Sequence, residues 1–449
     1  MFGHLTKVVP VLCLVFASTA HADDGMDCGV LPSSPWQLSR LLPIVARCNR
    51  DVIAAQAMLA AADADVRIAA QRPNPTLTLG VSNINAHAGI GAGNLLDKTV
   101  DSSVRIDQLI ERGGKAGLRM DVAGKALQAS RADLDTVIRQ QQATFLKAWY
   151  AAEAATERRN LLTELLALNR QSEALAVKRV QAGDLPANDL TRISLDSLRA
   201  ENDLHQAESD WREAGLTLAR LLGAASLPGE PVLEPVWPDT AAIPPADDAL
   251  IEKRPDITAL RARAESARAA RDLARAQAHE DVSVGLQADH WPTSSTNMQG
   301  TGNSLSLSVS FPIALRHRHQ GEIQRAEADY RIAQEALDSA RLSARNDLFA
   351  IHSAVEAARR SLVTLQSQII PASRQIAARA ETAYAKGASS VLDLLDSRRM
   401  LRQVSLDGVA ARLDYAQSLA DWQLATGDRP DSPAITVSSS LPVSVKESR

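Results

Sequence analysis

Asp393 and Asp396 stand three residues apart at the head of a helical run, so both carboxylates share one helix face. Acids so placed can draw in cations. At a helix N-terminus they also favour the macrodipole, by roughly a few tenths of a kcal/mol each. His317 and His319 form an H-x-H pair, while His87 and His290 fall in two stretches that read as surface loops. Imidazoles can bind a divalent metal, yet solvent-exposed loop histidines are the plainer reading, and no metal ligand set is assigned. The chain carries no Walker loop, no G-x-S-x-G, no HExxH and no CxxC. Gly89, Gly91 and Gly93 alternate after a strand with no helix behind it, so a phosphate cradle is not expected. These residues describe a protein that is not an enzyme and has no cofactor.

The 449 residues are 45% hydrophobic and 23% charged, with a formal net charge of −4. That balance makes no electrostatic case for nucleic acid. Arginines alternate with Asp and Glu as on solvated helix faces. Residues 1–22 read as a secretory leader: Lys7 is the positive start, Val8 to Ala17 the short apolar core, and Ala20-His21-Ala22 the cleavage motif. No later run approaches the roughly 18 apolar residues of a membrane helix. Cleavage removes Cys13 and leaves Cys28 and Cys48, which outside the cytoplasm can pair as a disulfide or stay as two free thiols.

The rest of the chain is one unit written twice. Gly183 and Gly387, Gly223 and Gly427, and Gly117 and Gly321 are each 204 positions apart in matching surroundings. The first repeat covers 23–226 and the second 249–427, with a proline-rich extended connector at 227–248 between them. Residues 428–449 form a tail expected to be disordered. Each repeat reads as an Ala-rich helix (about 49–70 and 256–278), a pair of strands, a very long helix, a glycine turn and a return helix. The strand pairs are 76–84/101–109 and 281–289/304–312, and SLSLSVSF at 304–311 alternates polar and apolar without a break. The glycine turns span 183–189 and 387–393. Helices over 114–182 and 319–386 would each reach about 100 Å and must pack side by side, with Pro371 kinking the second.

Strands of 8–10 residues with one apolar and one polar face suit a membrane barrel. Four are too few to close one, and an open sheet edge cannot face lipid. The chain must therefore associate with copies of itself through its strands.

The segments RPDITALRARAE, Asn74-Pro75 before the first strand, FPIALRHRHQGEI, QAGDLPANDL and YAKGASSVLDLLDSRRMLRQ, in that order and doubled, resemble the TolC-type outer membrane factors of Gram-negative tripartite efflux pumps. The resemblance covers about 45–427. It implies a mainly α fold with a small β part: a homotrimeric α/β-barrel with four membrane strands per chain and long periplasmic coiled-coil helices. It implies outer-membrane lipid as surroundings, with a periplasmic adaptor (membrane fusion) protein and an inner-membrane RND-type pump as partners. The turns at Gly183, Leu185, Gly387 and Val391 would form the lower tip where the adaptor docks. Asp393 and Asp396 would ring the channel entrance, six carboxylates in a trimer, and Asp189 with Tyr384 would form a hydrogen-bonded lock. The family archetype has an arginine two residues after the second turn glycine, where this chain has Ser389.

Gln108-Leu109-Ile110-Glu111-Arg112-Gly113-Gly114-Lys115 is similar to the Q-x-x-E-x-G-G-K run of the cation-efflux (CzcC-like) branch, which implies divalent metal export. A type I protein secretion or drug efflux conduit would share this fold. A soluble periplasmic coiled-coil scaffold would share the helices but have no strands and no conductance.

Overall fold

The computed structural model describes residue 28 and residues 35–84, 100–224, 232–245, 247–292 and 302–426. The leader, His87, Gly89, Gly91, Gly93 and the tail 428–449 lie outside them. The chain opens with helices α1 (Leu38–Cys48) and α2 (Arg50–Ala69). The sequence pattern begins its first helix at 49 and misses α1, which carries Pro43 within it. Here Leu41, Leu42, Val45 and Cys48 make a buried stripe that holds the helix regardless. Asn49 separates the two helices: its side chain accepts from the Asp51 amide at 2.9 Å and donates to the Leu221 carbonyl at 3.0 Å. Cys28 and Cys48 are joined as a disulfide, with Cα atoms 5.3 Å apart.

Strands β1 (Thr76–Ser82) and β2 (Asp101–Ile110) lead to α3 (Lys115–Gln181) and α4 (Ala187–Leu221). The second half repeats the order as α5 (Pro255–Gln277), β3 (Val282–Trp291), β4 (Gly302–Ser310), α6 (Gln320–Thr364), α7 (Ile370–Ala385) and α8 (Val391–Thr426). His290, expected in a loop, lies in β3 opposite Asn303 of β4, because the pairing runs on to Trp291 and Gly302. At 67 residues, α3 is one rod of about 100 Å. Its counterpart is not one α-helix. A wider π-helical turn, Leu365–Ile369, divides α6 from α7. Pro371 has no N–H to offer the Ser367 carbonyl, and the wide turn absorbs the misfit. Ile370 then packs where Gly408 of α8 leaves room, since a Cβ there would come within 2.7 Å of Ile370 Cδ1.

The core sits midway along the helices. Phe145, Leu146, Trp149 and Tyr150 of α3 meet Leu41, Val45, Leu218 and Leu222 in one cluster. Leu348, Val355 and Leu362 of α6 meet Ile257, Tyr415 and Trp422 in a second. The proline-rich connector is bound across this belt. Trp36 donates to the Val232 carbonyl at 2.8 Å, Trp237 stacks on Tyr150 at 5.8 Å, and Tyr415 Oη donates to the Asp239 carbonyl at 2.7 Å.

Under the connector lies Glu153, whose Oε1 accepts from Trp149 Nε1 and from the Val236 amide, both at 2.7 Å. Its Oε2 is buried without a hydrogen-bond partner. Burial, helped by the nearby Glu157 carboxylate, pushes Glu153 up to about 7 against the pull of its two donors and Arg412. A carboxyl raised in the folded state is most stabilising below its unfolded value and loses that contribution as pH rises through the folded one. Stability is therefore expected to fall between about pH 4.5 and 7, by roughly 3 kcal/mol at most. Thermal melts of Glu153→Gln should be flatter over that window than those of the wild type.

The four strands form one antiparallel sheet in the order β1-β2-β3-β4. Register puts Leu77, Ile106, Leu286 and Leu307 in one row and Leu79, Val104, Ala288 and Leu305 in the next, all on the same face. The large members of both rows are exposed. The other face is polar and internally bonded. Arg105 pairs with Asp107 at 2.7 Å and donates to Ser308 at 3.1 Å, and Gln287 donates to Asp289 at 2.7 Å. No helix among the described residues is long and apolar enough to cross a membrane.

Candidate functional site

The two repeat-related turns come together at the end of the helices opposite the sheet. Gly183 and Gly387 adopt φ of 80° and 74°, the left-handed region that costs glycine least. Each closes its helix in the same way. The Gly183 amide donates to the Val180 carbonyl at 3.0 Å and the Asp184 amide to the Arg179 carbonyl at 2.8 Å. Gly387 to Tyr384 and Ala388 to Ala383 repeat these lengths. The paired pattern satisfies the last carbonyls of both helices and turns the chain sharply back.

Leu185 and Val391, expected on a docking surface, are instead 8% and 6% exposed. They pack with Ala176, Ile193 and Leu395, against which Tyr384 also lies. The turns put these side chains inward, so they pin the two repeats to each other. Gly183 and Gly387, by contrast, are exposed at the turns.

Ser390 and Asp393 form a capping box at the start of α8. The Asp393 amide donates to Ser390 Oγ at 3.2 Å, and Asp393 Oδ2 accepts from the Ser390 amide at 3.2 Å and hydroxyl at 2.9 Å. Asp396 is exposed, with Arg399 at 3.7 Å. Both acids stand free of the tip core. Tyr384 and Asp189 are not hydrogen-bonded to each other among the described residues. Arg179 lies 5.3 Å from the centre of the Tyr384 ring, and Asp189 faces Arg192 at 3.6 Å, one turn along its own helix. The expected lock is thus not closed within one chain.

What does close between the helices is a ladder that the sequence pattern leaves invisible. Asp196 of α4, 5% exposed, accepts from Arg399 at 3.1 Å. Arg398 reaches Glu381 at 3.0 Å and Ser172 at 2.8 Å, Arg402 reaches Asp203 at 3.2 Å, and Arg412 reaches Glu157 at 2.9 Å. Four arginines of α8 thereby tie three other helices together. Only the spacing of arginines in DSRRMLRQ hints at this. Beside the ladder opens a cleft of about 460 Å³, lined by Leu175, Arg179, Asp196, Glu381, Tyr384 and Arg398.

The Q-x-x-E-x-G-G-K run lies far along the fold, at the β2-to-α3 junction, and does structural work. Gly113 and Gly114 both take φ of 71°. Gln108 donates to the Pro73 carbonyl at 3.1 Å, and Glu111 accepts from Arg119 at 2.9 Å. Asp281, from the other repeat, accepts from Lys115 Nζ and the Arg112 amide, each at 2.9 Å. Burial would raise the Asp281 carboxyl, but Lys115, the Arg112 amide and Arg119 outweigh it and hold it below its ordinary value. The motif fastens one repeat to the other, and its one acid, Glu111, is already paired with Arg119.

The model of the family described as outer membrane efflux protein matches residues 42–224 and 248–428. The cobalt-zinc-cadmium resistance protein CzcC of Cupriavidus metallidurans is 26% identical over 400 residues, covering 88% of this chain and 89% of that protein. The pyoverdine export outer membrane protein OpmQ of Pseudomonas putida is 26% identical over 427 residues, covering 90% of each. Among solved structures, the channel protein CusC superposes with a TM-score of 0.74 at 17% identity, over 89% of this chain and 96% of that one.

Proposed function

The chain belongs to the outer membrane efflux protein family, and from that membership we propose that three copies close one barrel and serve as the passive outer-membrane conduit of a tripartite pump. One observation carries the reading. A four-stranded sheet has a continuous exposed apolar face, a bonded polar face, and outer strands β1 and β4 that each pair on one side only. Copies joined edge to edge leave no strand open to lipid, put Leu77, Leu307 and their rows against hydrocarbon, and turn Arg105 and Asp107 toward water. The long helices then run together into the periplasm. Their tip meets an adaptor protein, and through it an inner-membrane pump.

At the tip, Asp393 and Asp396 converge by threefold symmetry into a cation-attracting constriction. Divalent metal is the proposed cargo, supported by the likeness to CzcC along nearly the whole chain. The 26% identity to OpmQ, named for pyoverdine export, supports export of a small organic molecule as the second reading. Opening separates α7 and α8 from α3 and α4, with Tyr384 and Asp189 at the parting seam.

Planar-bilayer recordings of the purified mature protein test this. Small cation-selective channels, blocked by divalents from the tip side, support the conduit. A protein that stays in solution without detergent and never conducts overturns it. Replacing Tyr384 and Asp189 together by Ala is expected to raise single-channel conductance, and unchanged conductance would sink the seam.

A further inference from the structure

At the foot of β4, where the chain turns into α6, three potential metal ligands meet within six residues. The rings of His317 and His319 lie 4.5 Å apart, centre to centre. His317 Nε2 is 3.2 Å from Glu322 Oε1, and one ligand atom from each of the three residues lies within 4.8 Å of the other two. A four-coordinate metal with bonds of about 2.0–2.1 Å needs ligand atoms about 3.3 Å apart. The His317–Glu322 edge already has that length, and a small side-chain rotation brings in His319.

The backbone is shaped for this meeting. His319 caps α6 with φ of 56°, in the left-handed region uncommon outside glycine. The same place in the first repeat, the cap of α3, is Gly114 with φ of 71°. The second repeat thus keeps an imidazole where the first has the unstrained residue, and the turn folds that imidazole back toward His317.

We propose that His317, His319 and Glu322 bind one divalent transition-metal ion of the zinc, cobalt and nickel class, with open positions left for water. The surroundings set the class. Arg316, Arg318 and Arg325 line an opening shared with His317 and Glu322, and Arg325 has its own partner in Asp329 at 3.8 Å. With one carboxylate among three guanidinium groups, the site has too little negative charge and too few oxygens for magnesium or calcium. Imidazole nitrogens favour the later first-row metals instead. The site stands apart from the tip and does not depend on what the conduit exports.

Cobalt titration of the full mature protein in detergent, followed by its visible absorption, is the test. One saturable cobalt per chain is expected, displaced by zinc but not by excess magnesium. His317→Ala should weaken it about tenfold or more. His319→Gly should weaken it equally while leaving thermal stability unchanged or raised, because glycine suits that backbone. Joint replacement of Asp393 and Asp396 by Asn should leave it intact. Cobalt uptake that is not saturable, or that survives loss of both histidines, overturns the site. Channels that conduct normally with His317→Ala would show the ion is not needed for the path, whereas absent channels with intact cobalt binding would count against the conduit alone.

Discussion

Leu307→Arg is expected to abolish stable trimers in membranes, while Ser304→Lys leaves them intact. The two residues are three apart on β4 and face opposite sides of the sheet. Leu307 is 73% exposed, in the apolar row with Leu77, Ile106 and Leu286. An arginine near the middle of a lipid-facing strand costs about 2–4 kcal/mol, and a trimer carries it three times. Ser304 lies opposite Asp289 on the polar face and already donates to it at 3.3 Å. A lysine there gains a partner and reaches water. Trimer bands in unheated gels of membrane extracts read both variants. Equal loss in the two would mean that the apolar face does not meet lipid.

Joint replacement of Asp393 and Asp396 by Asn is expected to remove most cation selectivity and to weaken divalent block of the channel by about tenfold or more. Six carboxylates brought to one constriction by threefold symmetry would raise the local cation concentration far more than separate surface acids do. Asn keeps the capping contact with Ser390 in kind, so the helix start should lose no more than about 0.5 kcal/mol. That restraint makes the readout clean, because the tip stays folded while its field disappears. Block unchanged in the double variant would place the constriction elsewhere.

The parts of the fold that were legible in the sequence are those in which local pattern and tertiary outcome agree. SLSLSVSF alternates because β4 presents an exposed apolar face on one side and bonded polar groups on the other, and glycine marks both tip turns because φ is positive there. The illegible parts depend on partners distant in sequence. Asp196 and Arg399 are 203 positions apart and look like any charges on solvated helices, yet one of them is buried. Leu185 and Val391 sit in turns, where exposure is the ordinary expectation, and only the meeting of two repeats hides them. Helix α1 carries a proline within it, and its Leu41, Leu42 and Val45 are held by packing with Phe145 and Trp149, residues about a hundred positions away. The His317–His319–Glu322 cluster needed a backbone turn that histidine seldom takes.

The π-helical turn before Pro371 makes the two repeats mechanically unlike. Lys115–Gln181 is a continuous strut, whereas its counterpart is two shorter rods with a joint about one-third of the way up from the tip. Force applied at the tip bends a column where its hydrogen-bond ladder is weakest, so the jointed column yields first. In a ring of three copies, three jointed columns would yield while three unbroken ones stay straight, so the aperture would widen by the movement of the jointed columns. The joint lies on the tip side of α6, so the sheet need not feel the movement.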